Sequence, residues 1–150
     1  MSIFNTLNIS ASALTAERQR SEVAASNLAN VDTTHVTGGK GPYRRREVVL
    51  QSTGGNAQFR SMLNKGSQTS AGTAGGVRLT QVNEDKTDPI RRYDPGNVDA
   101  DKDGYVAYPA VNPTQEMVDL MGSVRAYQLN ASAITASKQM IQQSIDILKS

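Results

Sequence analysis

Apolar positions at the two ends of this chain follow one rule, and those in the middle follow another. From Ile3 to about Val31 the series Phe4, Leu7, Ala11, Leu14, Arg18, Ser21, Ala25 and Leu28 steps by threes and fours. That spacing is the seam of an amphipathic helix. No Gly or Pro interrupts it and Ala is frequent, so helix propensity agrees with the pattern. At 1.5 Å per residue the helix would extend about 43 Å. Asn30, Asp32 and the pair Gly38-Gly39 supply its stop. The other end repeats the rule with larger residues: Met117, Leu120, Val124, Tyr127, Ala131, Ile134, Ile141, Ile145 and Leu148, broken only by Lys138. Asn112 is placed as an N-cap, Pro113 as the first helical residue and Gln115 as its capping-box partner. Glu116 and Asp119 suit the positive end of the helix dipole. This second helix would be about 57 Å long.

Between the helices the period changes. Tyr43 to Leu50 and Val77 to Asn83 are short, partly alternating and rich in β-branched residues, so they are expected to be strands. Ile90 to Tyr93 and Tyr105 to Tyr108, bounded by Pro, Gly and Asp, make two more. Residues 52–76, rich in Gly, Ser, Thr, Ala and Asn, show no period. They are expected to form a flexible loop, with one helical turn at Gln58 to Leu63. The predicted fold is mainly α with a small β-rich middle. Long terminal helices form a coiled-coil-like core, and the middle is of β-hairpin type. Three regions follow: residues 1–35, 36–112 and 113–150.

Composition narrows the function. Leu, Ile, Val and Phe make up a fifth of the 150 residues, and the chain has no Trp and two Phe, so a large aromatic core is not expected. Net charge is only +2, too small for self-repulsion to hold the chain open. Without Cys there is no disulfide framework, thiolate metal site or Cys nucleophile, and a single His (His35) cannot build a multi-histidine cluster. No apolar run approaches the roughly 20 residues of a membrane span. The start, Met1 to Asn5, lacks the basic and apolar regions of a Sec signal. Arg44-Arg45-Arg46 is the one dense basic group, but Glu47 follows it directly, which suits a solvated strand face better than a nucleic-acid site.

Two chemical sites merit a test. Asp99-Ala100-Asp101-Lys102-Asp103-Gly104 matches the first half of an EF-hand loop. The twelfth position holds Ala110 where a bidentate Glu belongs, and Lys102 sits among the candidate ligands, so an Asp-rich turn is the expected reading. A Ser-His-Asp arrangement would need His35, and neither a G-x-S-x-G elbow nor a phosphate-binding Gly loop occurs. Catalytic, cofactor and metal residues are therefore each expected to be none.

The seam leaves two structural alternatives. The end helices form a self-contained hairpin in a soluble binding module, or they complete their packing against neighbouring copies. The assembly reading assigns contact roles to Phe4, Leu7, Leu14, Leu28, Met117, Leu120, Val124, Tyr127, Ile134, Ile141, Ile145 and Leu148.

Ala24-Ala25-Ser26-Asn27-Leu28-Ala29-Asn30-Val31-Asp32-Thr33 resembles the N-terminal signature of the axial proteins of the bacterial flagellum, its rod and hook components. Gly41-Pro42-Tyr43-Arg44-Arg45-Arg46-Glu47-Val48-Val49, the stretch from Gly104-Tyr105 through Pro109 and Asn112-Pro113 to Val118, and Ala126-Tyr127 resemble the proximal rod proteins within that family. The motif positions carrying the likeness are Ser26, Asn27, Leu28, Ala29, Asn30, Pro42, Tyr43, Arg44, Gly104, Tyr105, Pro109 and Asn112. Residues 52–76, and Asn97-Val98 ahead of the Asp-rich turn, depart from the pattern. The resemblance implies a structural subunit, not an enzyme, with no cofactor. It would leave the cell through the flagellar type III export apparatus and polymerise into the torque-transmitting rod that crosses the periplasm. Its partners would be copies of itself, other rod proteins, the rod adaptor and the inner-membrane ring, with no nucleic acid and no membrane span. The alternative within the family is another rod or hook axial protein.

Overall fold

A computed structural model describes residues 3–38, 41–53 and 75–149. The element order is α1 (Ile3–Ala29), β1 (Arg46–Ser52), β2 (Val77–Glu84), β3 (Ile90–Tyr93), β4 (Tyr105–Tyr108) and α2 (Pro113–Lys149). The protein is thus mainly helical, with a small β middle of two antiparallel two-stranded sheets, β1-β2 and β3-β4. The expected helical turn at Gln58 to Leu63, and most of the expected loop, lie outside the described residues.

Helix boundaries follow local chemistry. α1 stops two residues before the expected Val31, where the Asn30 amide donates to the Ser26 carbonyl at 2.9 Å and closes the last turn. At the start of α2, Asn112 Oδ1 accepts from the backbone N–H of Thr114 at 3.0 Å and of Gln115 at 3.4 Å. Those are two of the four donors a helix start leaves over. The capping box does not close. Gln115 Nε2 lies 3.4 Å from Asp119 Oδ2, one turn on along the helix.

β3 and β4 occupy the expected residues and pair in register, Ile90 with Tyr108 and Tyr93 with Tyr105. The last pair packs edge to face with ring centroids 5.4 Å apart. Gly104, at φ +80°, makes the turn into β4, and its N–H donates to the Asp101 carbonyl. β1 begins three residues later than expected. Tyr43, Arg44 and Arg45 are committed elsewhere, beginning with Tyr43, whose backbone N–H donates to the Thr33 carbonyl at 3.0 Å.

The chain groups into two compact units. The first takes residues 1–19, 50–80 and 123–150, and the second residues 20–49 and 81–122. The fully buried residues of the helices are small or polar rather than large and apolar. In the first unit they are Ser10, Ala16, Ser123 and Ser137, and in the second Ala24, Asn27 and Glu116. Along α2 the burial falls one position ahead of the expected seam: Glu116 rather than Met117, Ser123 rather than Val124, Ser137 rather than Lys138. Val106, Pro109, Val111 and Tyr43 complete the interior of the second unit.

Candidate functional site

Asn27 is 1% exposed and Glu116 2%, and they meet although 89 residues separate them. Asn27 Nδ2 donates to Glu116 Oε2 at 2.9 Å and to the Arg46 carbonyl at 2.8 Å. Its Oδ1 accepts from the Tyr43 hydroxyl and from the Arg46 N–H, both at 2.9 Å. All four hydrogen-bonding positions of the amide are used. Its orientation is dictated by the partners, because an ionised carboxylate and a carbonyl can only accept.

The rest of the hub follows from that amide. Tyr43 OH also lies 3.4 Å from Ser26 Oγ, and the Arg46 guanidinium stands 5.7 Å over the Tyr43 ring. Asn30 Oδ1 accepts from Thr33 Oγ1 at 3.1 Å, which shapes the chain leaving α1. Glu116 Oε1 accepts from Arg45 Nε at 2.6 Å, and Arg45 pairs through its other nitrogens with Glu47 and, at 3.9 Å, with Asp119. Asp119 in turn lies 3.7 Å from Arg20. Burial opposes the charge of Arg45, but the hydrogen bond and charge of Glu116, with Glu47 beside them, outweigh it. The guanidinium is held above its ordinary pKa. The second unit therefore carries one connected polar network from α1 through residues 43–47 to the first turns of α2.

The basic triplet divides. Arg44 and Arg46 are exposed, as a solvated strand face requires, while Arg45 turns inward to Glu116. Arg44 reaches the Asp85 carbonyl at 3.3 Å. The Asp85 carboxylate accepts from the Thr87 hydroxyl at 2.7 Å and its N–H at 2.9 Å, which lowers its pKa below the usual 3.8. A cleft of about 190 Å³ beside the hub is walled by Arg20, Arg45, Arg46, Glu47 and Asp119 over Val23, Ala24 and Val48. Its charges pair among themselves or with Glu84, which lies 3.6 Å from Arg46.

The Asp-rich turn is held from within. Asp101 Oδ1 accepts from the Asp103 N–H at 2.9 Å and its Oδ2 lies 3.1 Å from Arg91, while Asp99 takes the Thr34 hydroxyl at 2.7 Å. These carboxylates are spent on Asx-type turns and on one cation. Among the described residues no group of three or more His, Cys, Asp or Glu is arranged to hold a metal ion.

The structure gathers four of the motif positions, Ser26, Asn27, Asn30 and Tyr43, around the hub or the turn behind it. Leu28 and Pro42 are half-buried and Ala29 is exposed. Gly104 and Tyr105 shape the β3-β4 hairpin, Pro109 is buried, and Asn112 caps α2. Arg45 and Glu116 lie inside the motifs quoted above, but nothing in their spacing marks them as partners. Of the twelve expected contact residues, Phe4, Met117, Val124, Tyr127, Ile145 and Leu148 are exposed. Leu7, Leu14, Leu28, Leu120, Ile134 and Ile141 are half-buried.

Two family models match the ends of the chain: "Flagella basal body rod protein" over residues 7–34 and "Flagellar basal body rod FlgEFG protein C-terminal" over residues 102–147. The flagellar basal-body rod protein FlgC of Bacillus subtilis is 45% identical over 152 aligned residues, covering 99% of this chain and all of the relative. The chain belongs to the FlgC family. The FlgC proteins of Borreliella burgdorferi and Salmonella typhimurium are 35% and 36% identical, each over 98–99% of both chains. Seen against the family models, Asn27 lies in the N-terminal match and Glu116 in the C-terminal one. The Tyr43-to-Arg46 segment that joins them lies in neither match. The hub therefore ties the two rod-protein regions of this FlgC-family chain together through the part between them.

Proposed function

We infer that this chain is a structural subunit of the flagellar basal-body rod, polymerising through its terminal helices into a torque-transmitting shaft. The observation that carries the reading is the near-full-length identity to FlgC proteins from distant bacteria. The exposed state of Met117, Val124, Tyr127, Ile145 and Leu148 supports it. A helix that leaves this much apolar surface in water gains stability when neighbours cover it. No catalytic role is proposed. The assembly partners are other copies and other rod proteins, with the rod adaptor and inner-membrane ring at the membrane end. The route is the flagellar export apparatus and the site of assembly the periplasmic space.

The test is Ile145→Asp in a flagellated host whose own FlgC gene is deleted. Ile145 is 40% exposed in the subunit. Covering the remainder is worth about 1 kcal/mol, and a carboxylate placed there adds a desolvation penalty of several more. The expected result is normal subunit level and export with incomplete rods and no swimming. Ser144→Asp and Gln142→Asp, on exposed neighbouring positions, should swim. Normal motility in Ile145→Asp, or equal failure of all three, overturns the seam assignment.

A further inference from the structure

The sequence holds a single Asx-Gly step, Asp103-Gly104, at the end of the Asp-rich turn. Gly104 has φ +80°, and a Cβ there would fall 2.9 Å from Tyr93 Cε2 and 3.4 Å from Pro95 Cβ, so the turn selects glycine. That choice leaves the Gly104 nitrogen without side-chain cover next to the Asp103 carboxyl. Asp103 is exposed, and among the described residues nothing hydrogen-bonds or pairs with its carboxylate. Asp101 restrains the same step. Its carbonyl accepts from the Gly104 N–H and its own N–H donates to the Tyr105 carbonyl, both at 2.9 Å. Its Oδ1 accepts from the Asp103 N–H at 2.9 Å, and Arg91 holds its Oδ2 at 3.1 Å.

We propose that Asp103-Gly104 is a covalent modification site, at which the peptide isomerises to isoaspartate through a cyclic imide, and that Asp101 gates it. The Gly104 nitrogen attacks Cγ of the protonated Asp103 carboxyl. A C–N bond forms, and the carboxyl hydroxyl leaves as water with the amide proton. Water then adds to the imide. Breaking the bond from nitrogen to Cγ restores aspartate. Breaking the bond from nitrogen to the main-chain carbonyl carbon leaves the chain running through Cβ and Cγ. One water leaves and one enters, and nothing is oxidised or reduced. While the Asp101 carbonyl holds the Gly104 N–H, that nitrogen cannot attack, so the reaction proceeds only through the open turn. The product has one extra main-chain atom, which takes Tyr105 out of register with Tyr93 and breaks the bond from the Asp94 N–H to the Gly104 carbonyl. It also presents a free α-carboxylate within the chain, the group that a carboxyl methyltransferase with a sulfonium methyl donor would recognise.

The experiment ages the full chain in neutral buffer, folded and in urea. Isoaspartate is counted by labelled methyl transfer from S-adenosylmethionine with a purified isoaspartyl methyltransferase, and located by peptide mapping. The urea-unfolded chain should gain label at residues 103–104 faster than the folded parent. Asp101→Ala should gain it about fivefold faster than the parent, the rise in open population expected when one exposed hydrogen bond is lost. Arg91→Ala, which frees the Asp101 carboxylate, should fall between the two. Asp103→Glu, whose larger ring closes far more slowly, should stay unlabelled at this step. Both gate side chains are exposed, so thermal melts should show the variants folded, and Arg91→Ala decides if Asp101→Ala is not. No label at residues 103–104 in the unfolded chain overturns the site. Equal rates in the folded parent and the unfolded chain, or in the parent and the folded variants, overturn the gate.

Discussion

Replacing Asn27 by Ala removes four hydrogen bonds from a side chain that is almost wholly buried. The effects on the partners differ. Tyr43 OH keeps Ser26 within reach and Glu116 keeps Arg45, whereas the Arg46 N–H and carbonyl lose the only side-chain partner described for either. A neutral hydrogen bond contributes about 1 kcal/mol net, one to a charged group about 1.5–3, and a buried group left unpaired costs about 1–3. The three neutral bonds and the one to the Glu116 carboxylate together come to about 4.5–6 kcal/mol, comparable to the whole stability of a small domain, before any cost of stranding the Arg46 groups. Asn27→Asp keeps the shape and the acceptor but sets a second carboxylate against Glu116 and the Arg46 carbonyl. At neutral pH it should be at least as damaging as Ala. It should recover in part in mild acid, where the new carboxyl gains a proton and can donate again. Urea denaturation followed by Tyr fluorescence measures both variants, and a double-mutant cycle with Glu116→Gln isolates the Asn27–Glu116 term. A loss below 1 kcal/mol for Asn27→Ala, or an Asp variant as stable as the parent, would refute the hub as the element that holds the second unit together.

Two smaller predictions concern the middle of the chain. Gly104→Ala forces a left-handed φ on a residue with a Cβ, and that Cβ would fall 2.9 Å from Tyr93 Cε2. The exposed ring can move away, so the expected cost is about 1–2 kcal/mol in a thermal melt, with changed Tyr93 and Tyr105 ring shifts by NMR. The Asp85 carboxyl should titrate below 3.8 by NMR, and Thr87→Val should move its midpoint up. Because the folded value is the lower one, its small contribution to stability is present at neutral pH and is lost as pH falls through that midpoint.

What could be read from the chain alone divides along a physical line. Periodicity located both long helices and the β3 and β4 strands, because each is declared by residues close in sequence. The terminal motif was visible as a likeness, but its reason was not. Asn27 finds Glu116 across 89 positions, and no local rule pairs a polar residue in one helix with an acid in another. The three-four spacing marks large apolar side chains, whereas the helices bury Ser10, Ala24, Ser123 and Ser137. Arg45 was hidden in the same way, one inward guanidinium in a triplet whose two neighbours face solvent.

Five of the hydroxyl and amide side chains along α2 are satisfied within the helix itself. Asn130, Ser132, Thr135, Ser137 and Ser144 each donate to a carbonyl one turn back in their own helix. Buried or exposed, these groups need nothing from the surface they lie against, so a neighbour can shift along the helix without breaking a polar bond. The Asn27–Glu116 pair behaves in the opposite way, since displacement by one residue would strand both. A shaft made of such subunits would have stiff points where polar atoms interlock. Between them lie lengths of α2 whose self-bonded polar groups set no register with whatever packs against them.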